Sequence, residues 1–221
     1  MTNITKLVHS YLDHDIAARK DLGRGLINMR ALAIHVKKEL GIHSSVDAVI
    51  SSIRRYEANA TEEKFSKAFS IIINGKISTK NHIAIIALVK DPAVQQVLPN
   101  LFSMIDYARG EVLRIIQAEE LIKIVVDQKN IDEVCQLFPK DKVKRIEKDL
   151  AEINMRIDPI SSKVPGVLAI LNTELANNDV NIVETMSCVP ELVWFISESQ
   201  LIKAHQTFIE LISTKKSYPL H

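Results

Sequence analysis

A repeat at a spacing of about seventy residues constrains this chain more than any other feature. Glu120-Leu121 and Glu191-Leu192 stand 71 residues apart, and the same offset pairs Glu111-Val112 with Ile182-Val183. Phe138 and Phe208 pair at 70, with one residue lost in the strand-to-helix loop. A nearly constant offset across three elements predicts the duplication of one structural unit.

The elements recur in the same order. In the first copy, the β-branched run His82–Lys90 reads as a buried strand and Asp91–Tyr107 as a helix. Pro99 should break that helix, since proline removes a hydrogen bond and clashes with the preceding turn. Paired strands follow at Glu111–Glu119 and Leu121–Asp127, then a helix from Asn130 to Phe138. The second copy reads as strand Leu150–Ile157, helix Gly166–Asn178, strands Asn181–Cys188 and Leu192–Ser197, and helix Ser199–Ile212. This is the order of a split β-α-β, ferredoxin-like unit. Val143–Ile146 can close the first copy, with a turn through Glu147-Lys148-Asp149 into the next. Lys215–His221 is short and contains Pro219, so the closing strand of the second copy must be short or borrowed.

The chain ahead of the repeat has a helical texture. Ile4, Leu7, Val8, Tyr11 and Leu12 fall at helical spacing, with Asn3 placed as a cap. Asn28 announces a further helix whose stripe is Leu32, Val36 and Leu40, ended by Gly41. Ser45 can cap another, with Val46, Val49, Ile50 and Ile53 as its core face. Helix, short turn, helix is the outline of a helix-turn-helix. Ser45–Tyr56 would then be a recognition helix, with Ser45, Ser51, Arg54 and Arg55 as candidate contacts to duplex DNA. The competing reading is a helical docking module, and Asp47 in the first turn speaks against DNA, although a helix dipole also accounts for it. Thr61–Ala68 reads as a short helix. Ile71–Ile77 reads as a hairpin through Asn74-Gly75, hence a wing or a linker strand. The expected architecture is α+β: a helical head over 1–60, a linker or wing over 61–80, and repeats over 81–148 and 149–215.

Composition excludes several classes. Apolar residues make up 47% and charged residues 25% of the 221, an ordinary globular balance. The longest apolar run, Ile83 to Val89, is too short to span a bilayer, so no membrane role is expected. Two distant cysteines, Cys135 and Cys188, point to a reduced cytoplasmic protein. With 5% aromatics there is little to stack on bases. Residues 1–59 carry nine Lys/Arg against six Asp/Glu, a mild positive surplus that permits nucleic acid without requiring it. No Gly-rich phosphate loop, His-x-x-x-His or Cys-x-x-Cys is present, so neither a cofactor nor a metal is expected. No acid, base or nucleophile set stands out, and an enzyme of unrecognised type is the weakest class.

The second copy holds Lys163-Val164-Pro165-Gly166-Val167-Leu168-Ala169, then Leu175-Ala176, then Val180-Asn181-Ile182. These residues resemble the ACT domain, the small module that binds amino acids in regulated biosynthetic enzymes such as aspartate kinases. The resemblance covers Leu150–Ile212 and reaches the first copy through the repeat. With its helical head, the whole chain is similar to a group of archaeal proteins in which such a head precedes two aspartate-kinase-like ACT domains. What the resemblance implies is a pair of βαββαβ units with antiparallel sheets and an amino acid bound against Pro165–Ala169, with Asn181 as a side-chain contact. It also implies a homodimer or higher assembly.

Physics supports such a site: the first turn of a helix offers free N–H groups to a carboxylate, and a glycine lets a ligand approach. Lys163 and Ser161 replace the Asn and His of the serine-binding version of the motif, so serine specificity does not carry over. Asp91-Pro92-Ala93 lacks a glycine, which marks the first copy as degenerate. The leading expectation is an amino-acid-responsive transcriptional regulator. The alternative is an allosteric subunit whose head docks on a separate biosynthetic enzyme. Neither is an enzyme.

Overall fold

A computed structural model describes residues 4–23, 25–56 and 59–213, with the backbone alone at 16, 20, 23 and 59–65. The described residues fall into two compact units. One holds those up to Ser70 together with Lys163–Val167, and the other holds Ile71–Ser162 and those from Leu168 onward.

The first unit is helical: α1 (Ile4–His14), α2 (Ile16–Gly23), α3 (Met29–Glu39), α4 (Val46–Arg54) and all but the last two residues of α5 (Asn59–Ile72). The caps expected from sequence are in place. Asn28 Oδ1 accepts from the N–H groups of Arg30 and Ala31, and Ser45 Oγ accepts from Ala48 N–H. Gly41 turns the chain at φ +60°, where a side chain would be strained. Asn3, the expected cap of α1, lies outside the described residues. Val8, Leu12, Leu32, Ala33, Val36, Val49 and Ile53 form the core of this unit. The hairpin expected over Ile71–Ile77 is absent. Asn74 and Gly75 instead end α5, their N–H groups bonded back to the carbonyls of Ile71 and Ile72. Helical continuation outweighed the local turn preference of Asn-Gly.

The second unit contains one six-stranded antiparallel sheet in the order β2-β3-β1-β4-β6-β5. Its strands are β1 (Lys76–Val89), β2 (Leu113–Gln117), β3 (Leu121–Asp127), β4 (Val143–Arg156), β5 (Ile182–Cys188) and β6 (Glu191–Ser197). The helices are α6 (Pro92–Val97), α7 (Leu101–Met104), α8 (Ile131–Gln136), α9 (Val167–Asn177) and α10 (Leu201–Ser213). A 3-10 turn through Pro99 separates α6 from α7, the break that proline was expected to cause.

Strands β1 and β4, each 14 residues long, lie side by side at the centre and serve both halves. Ile83–Val89 pairs with β3, while Lys76–Lys80 pairs with Arg156–Glu152 of β4. On the other side, Leu150–Arg156 pairs with β6. The strand missing from the second half is therefore Lys76–Lys80, borrowed from the stretch that reads as linker. Glu147-Lys148-Asp149 does not turn: β4 continues through a residue at φ +54°, Asp149, as β1 continues through His82 at φ +53°, 67 residues earlier. Irregular pairing at this crossing re-aims both strands without ending them.

The register also corrects the repeat. Val89 pairs with Leu121, and Arg156 pairs with Glu191, so Leu121 corresponds to Glu191 and the offset in this hairpin is 70. The sequence alignment at 71 was one residue out, a slip that exchanges the two faces of a strand.

Alternation along the strands gives the sheet buried clusters on both faces. Ile86, Leu88, Ile122, Ile124 and Val126 face Val94, Leu101, Val134 and Phe138. On the opposite face Ile83, Ile85, Val125, Leu150, Val193 and Phe195 form one cluster drawn from both halves. Two ion pairs cross this face. Arg114 of β2 grips Glu152 of β4 through Nε–H to Oε2 at 2.8 Å and Nη2–H to Oε1 at 2.6 Å. Lys123 of β3 pairs with Glu184 of β5. Glu152 is 1% exposed, and its carboxylate is the first cause of a raised Arg114 pKa. Removing one partner leaves a buried charge uncompensated. We expect Glu152→Ala or Arg114→Ala to cost about 3–5 kcal/mol in denaturant unfolding, and the pair Arg114→Met with Glu152→Leu to recover most of it.

Candidate functional site

Asp91-Pro92 and Asp158-Pro159 are structural counterparts, 67 residues apart. Asp91 Oδ1 accepts from Ala93 N–H at 2.8 Å, and Asp158 Oδ1 accepts from Ile160 N–H at 2.8 Å. Aligned on Leu101 and Val167, one residue off that spacing, Pro165-Gly166 falls opposite Pro99-Asn100 and not opposite Asp91-Pro92-Ala93. Leu101 and Val167, each buried and each the first residue of a helix, follow these pairs. The two halves part here. Asn100 is right-handed at φ −67° and leads directly into the four-residue α7. Gly166 stands at φ +98° in a turn ahead of the 11-residue α9. Pro165 and Gly166 thus precede the helix, where a proline in the first turn and a helix starting at Gly166 were expected. At that φ any side chain strains the backbone, so Gly166 is required by the turn itself.

Among the expected ligand residues, Lys163, Pro165, Leu168, Ala169 and Asn181 are exposed, Val164, Gly166 and Ile182 half-buried, and Val167 buried. Lys163–Val167 groups with the helical unit, whereas Leu168, Ala169, Asn181 and Ile182 belong to the sheet unit. Leu168 is 42% exposed at the start of α9. Ser161, just upstream, is 8% exposed and its hydroxyl has no hydrogen-bond partner, while its counterpart Val94 is fully buried. Sequence reading weighed Ser161 only as a departure from a family motif. Its burial depends on the 3-10 turn Pro159–Lys163, which no periodicity announces.

The strand starts differ in the same sense. At the start of β2, Glu111 accepts from Lys129, from Asp106 N–H at 3.0 Å and from Asn130 Nδ2–H at 3.0 Å. Lys129 first, then these two donors, hold its carboxyl down to about 2. Asn181 is the residue immediately before β5 and matches Val112, the residue immediately before β2, in the strand register. Its backbone N–H donates to Gln200 Oε1 at 3.2 Å, and its side-chain amide has no hydrogen-bond partner among the described residues. The corner is closed by its own charges in one half and carries a spare amide in the other. An amide can donate to a carboxylate and accept from an ammonium.

The candidate DNA contacts are partly spent within the helical unit. Ser45 is the cap of α4, and Arg55, outside the helix, donates Nε–H to Ser51 O at 3.1 Å. Ser51 and Arg54 are exposed. The helix expected over Ser45–Tyr56 ends at Arg54, and the Tyr56 hydroxyl donates to Asp13 Oδ1 at 2.7 Å. His35 is exposed, and its ring meets the Tyr11 hydroxyl at 3.0 Å. Among the described residues no acidic, His or Cys cluster is placed to hold a metal, and no helix is long and apolar enough to cross a membrane. Cys188 is exposed, and burial pushes the Cys135 thiol up.

No protein-family model and no curated protein matches the chain by sequence. Solved structures match its fold. A regulatory subunit of aspartate kinase from Thermus flavus aligns with a TM-score of 0.51 at 15% identity, over 62% of this chain and 97% of that one. Aspartate kinases from Clostridium acetobutylicum and Synechocystis align at 0.50, with 16% and 14% identity, over 62% and 66% of this chain. The chain spans only 34% and 28% of those two kinases. At these identities the likeness is one of fold.

The closed corner makes a pH prediction. Glu111 is depressed in the folded state, so its stabilisation is full above the ordinary carboxylate range and is lost as pH falls towards about 2. In urea melts, Glu111→Gln should be less stable than the parent at pH 7, and the difference should shrink steadily between about pH 5 and 2.

Proposed function

We propose that this chain is an amino-acid-responsive regulatory protein: two ACT-type halves, of which the second holds the effector, and a helical segment that docks on a partner enzyme of amino-acid biosynthesis. The observation that carries the reading is the unpartnered amide of Asn181, immediately before β5, in the half where α9 is continuous. The first turn of α9, which includes Leu168 and Ala169, supplies N–H groups for a carboxylate. Further support is the likeness in fold to a regulatory subunit of aspartate kinase, matched over nearly its whole length.

Docking is favoured over DNA for the helical segment. Leu7, Leu26 and Ile34 are exposed there at 36%, 65% and 51%. Two of the four residues that would read DNA, Ser45 and Arg55, already serve their own helix. Exposed apolar side chains fit a protein partner better than a phosphate backbone.

Differential scanning fluorimetry against the twenty amino acids tests the ligand reading. One amino acid at roughly 100 times its dissociation constant should stabilise the fold by about 2.7 kcal/mol. Asn181→Ala should weaken its binding by about 1–3 kcal/mol, the range for a hydrogen bond to a charged group. Glu111→Gln should leave the affinity unchanged. Gly166→Val is a poor probe, because at φ +98° it strains the turn whether or not a ligand binds. A response that survives Asn181→Ala intact would place the ligand elsewhere, and silence from all twenty would end the sensing reading.

A further inference from the structure

Helix α3 turns Leu32, Ala33 and Val36 into the core of the helical unit. On its outer side stands Ile34, 51% exposed. Residues three and four apart are neighbours on a helix, so Ile34 is surrounded by Arg30, Ala31, Lys37 and Lys38. Arg30 and Lys38 are exposed and Lys37 is half-buried. Among the described residues none of these three cations forms an ion pair. The single acid of α3, Glu39, stands one turn from His35, whose ring meets the Tyr11 hydroxyl of α1 at 3.0 Å. That acid therefore lies on the side turned towards α1, off the face of Ile34.

The helix itself does not call for this arrangement. Lys37 and Lys38 stand in the last turn, where cations suit the negative end of the helix dipole. Arg30 stands in the first turn, where the dipole favours anions, and no acid of that turn offsets it. A lone exposed apolar residue is ordinary on any surface. An isoleucine whose helical neighbours are three cations and an alanine, one of the cations at the unfavourable end, is not. Leu26, 65% exposed two residues ahead of the cap Asn28, adds an apolar side chain at the end of α3 that carries Arg30.

We propose that the outer face of α3 receives an acidic segment of a partner protein, whose apolar side chain packs on Ile34 while its carboxylates meet Arg30, Lys37 and Lys38. This surface presupposes that the helical unit docks on a protein, and adds where it does so and by what chemistry. An apolar anchor ringed by charge is how specific protein contacts are built: the centre loses its water, while the rim selects the partner and speeds encounter. Duplex DNA fits less well. Phosphates would pair with the cations but gain nothing from Ile34, and α4, not α3, is the helix that a helix-turn-helix lays in the groove. One helix face makes a small interface, under about 1,200 Å² in total, so the complex is transient and weakens as salt screens its rim.

Fluorescence anisotropy of the full chain with two labelled probes tests it: a helical peptide with a leucine stripe flanked by glutamates, and a DNA duplex. The peptide should bind, and versions with lysines in place of the glutamates, or alanines in place of the leucines, should not. Ile34→Asp and Arg30→Glu should each raise the peptide's dissociation constant about tenfold or more, as expected of residues at the centre of a contact. Arg30→Glu should not lower the melting temperature, because a carboxylate suits the first turn better than a cation, and this separates lost binding from lost fold. The double variant Arg30→Glu with Lys38→Glu should reverse the preference and take the lysine peptide instead. Acidic-peptide binding indifferent to Ile34→Asp and Arg30→Glu would overturn the α3 surface and leave the docking reading standing. Duplex binding that is lost with Arg30→Glu, while the peptide stays unbound, would overturn both. No binding of either probe up to about a millimolar would overturn the α3 surface alone.

Discussion

Everything in the sheet unit depends on β1 and β4 lying against each other along their length. Lys76 pairs with Arg156 at one end and Leu88 with Val143 at the other, and between them His82 and Asp149 take the left-handed conformation at matching positions. Each strand gives one stretch to its own half and one to the other. Neither half has a complete set of strands without the other, so the repeat folds as one sheet. The cluster of Ile83, Val125, Leu150 and Phe195 and the ion pairs Arg114–Glu152 and Lys123–Glu184 consolidate the same union. The cations in those pairs come from β2 and β3 and the anions from β4 and β5, so the charge pattern distinguishes the halves even where the backbone does not.

On this nearly symmetric frame the polar side chains are asymmetric. In the first half the strand-start carboxylate of Glu111 is satisfied by Lys129, Asn130 and the Asp106 N–H, and the helix ahead of it is broken at Pro99. In the second half α9 is continuous, Gly166 turns the chain into it, and Asn181 keeps its amide free. A duplicated unit with shared strands can specialise in this way because the strands carry the stability and the corners are free to vary.

Much of this was legible in the sequence for identifiable reasons. The caps at Asn28 and Ser45, the break at Pro99 and the order of strands and helices all follow from local chemistry that tertiary structure did not override. What escaped notice was non-local. Lys76–Lys80 has no apolar run because it forms the outlying end of a strand, exposed or half-buried throughout, and its partners lie more than seventy residues away. Asn74-Gly75 carries a hairpin signature but ends a helix. The repeat was visible, yet a one-residue error in its offset matched Glu120-Leu121 to the wrong pair, and only the hydrogen-bonded register corrects it. In the candidate site, Asn181 and Gly166 stood out by residue type. The positive φ of Gly166, the saturated state of Glu111 and the buried hydroxyl of Ser161 each depend on neighbours that sequence does not place.

The claim that unites these observations is that two similar halves provide one effector site. Equilibrium dialysis of the full chain against a radiolabelled amino acid, taken to saturation, measures it directly. The account predicts one ligand bound per chain. Two per chain would contradict the closure of the first half by Glu111, and no saturable binding of any amino acid would contradict the site at Asn181.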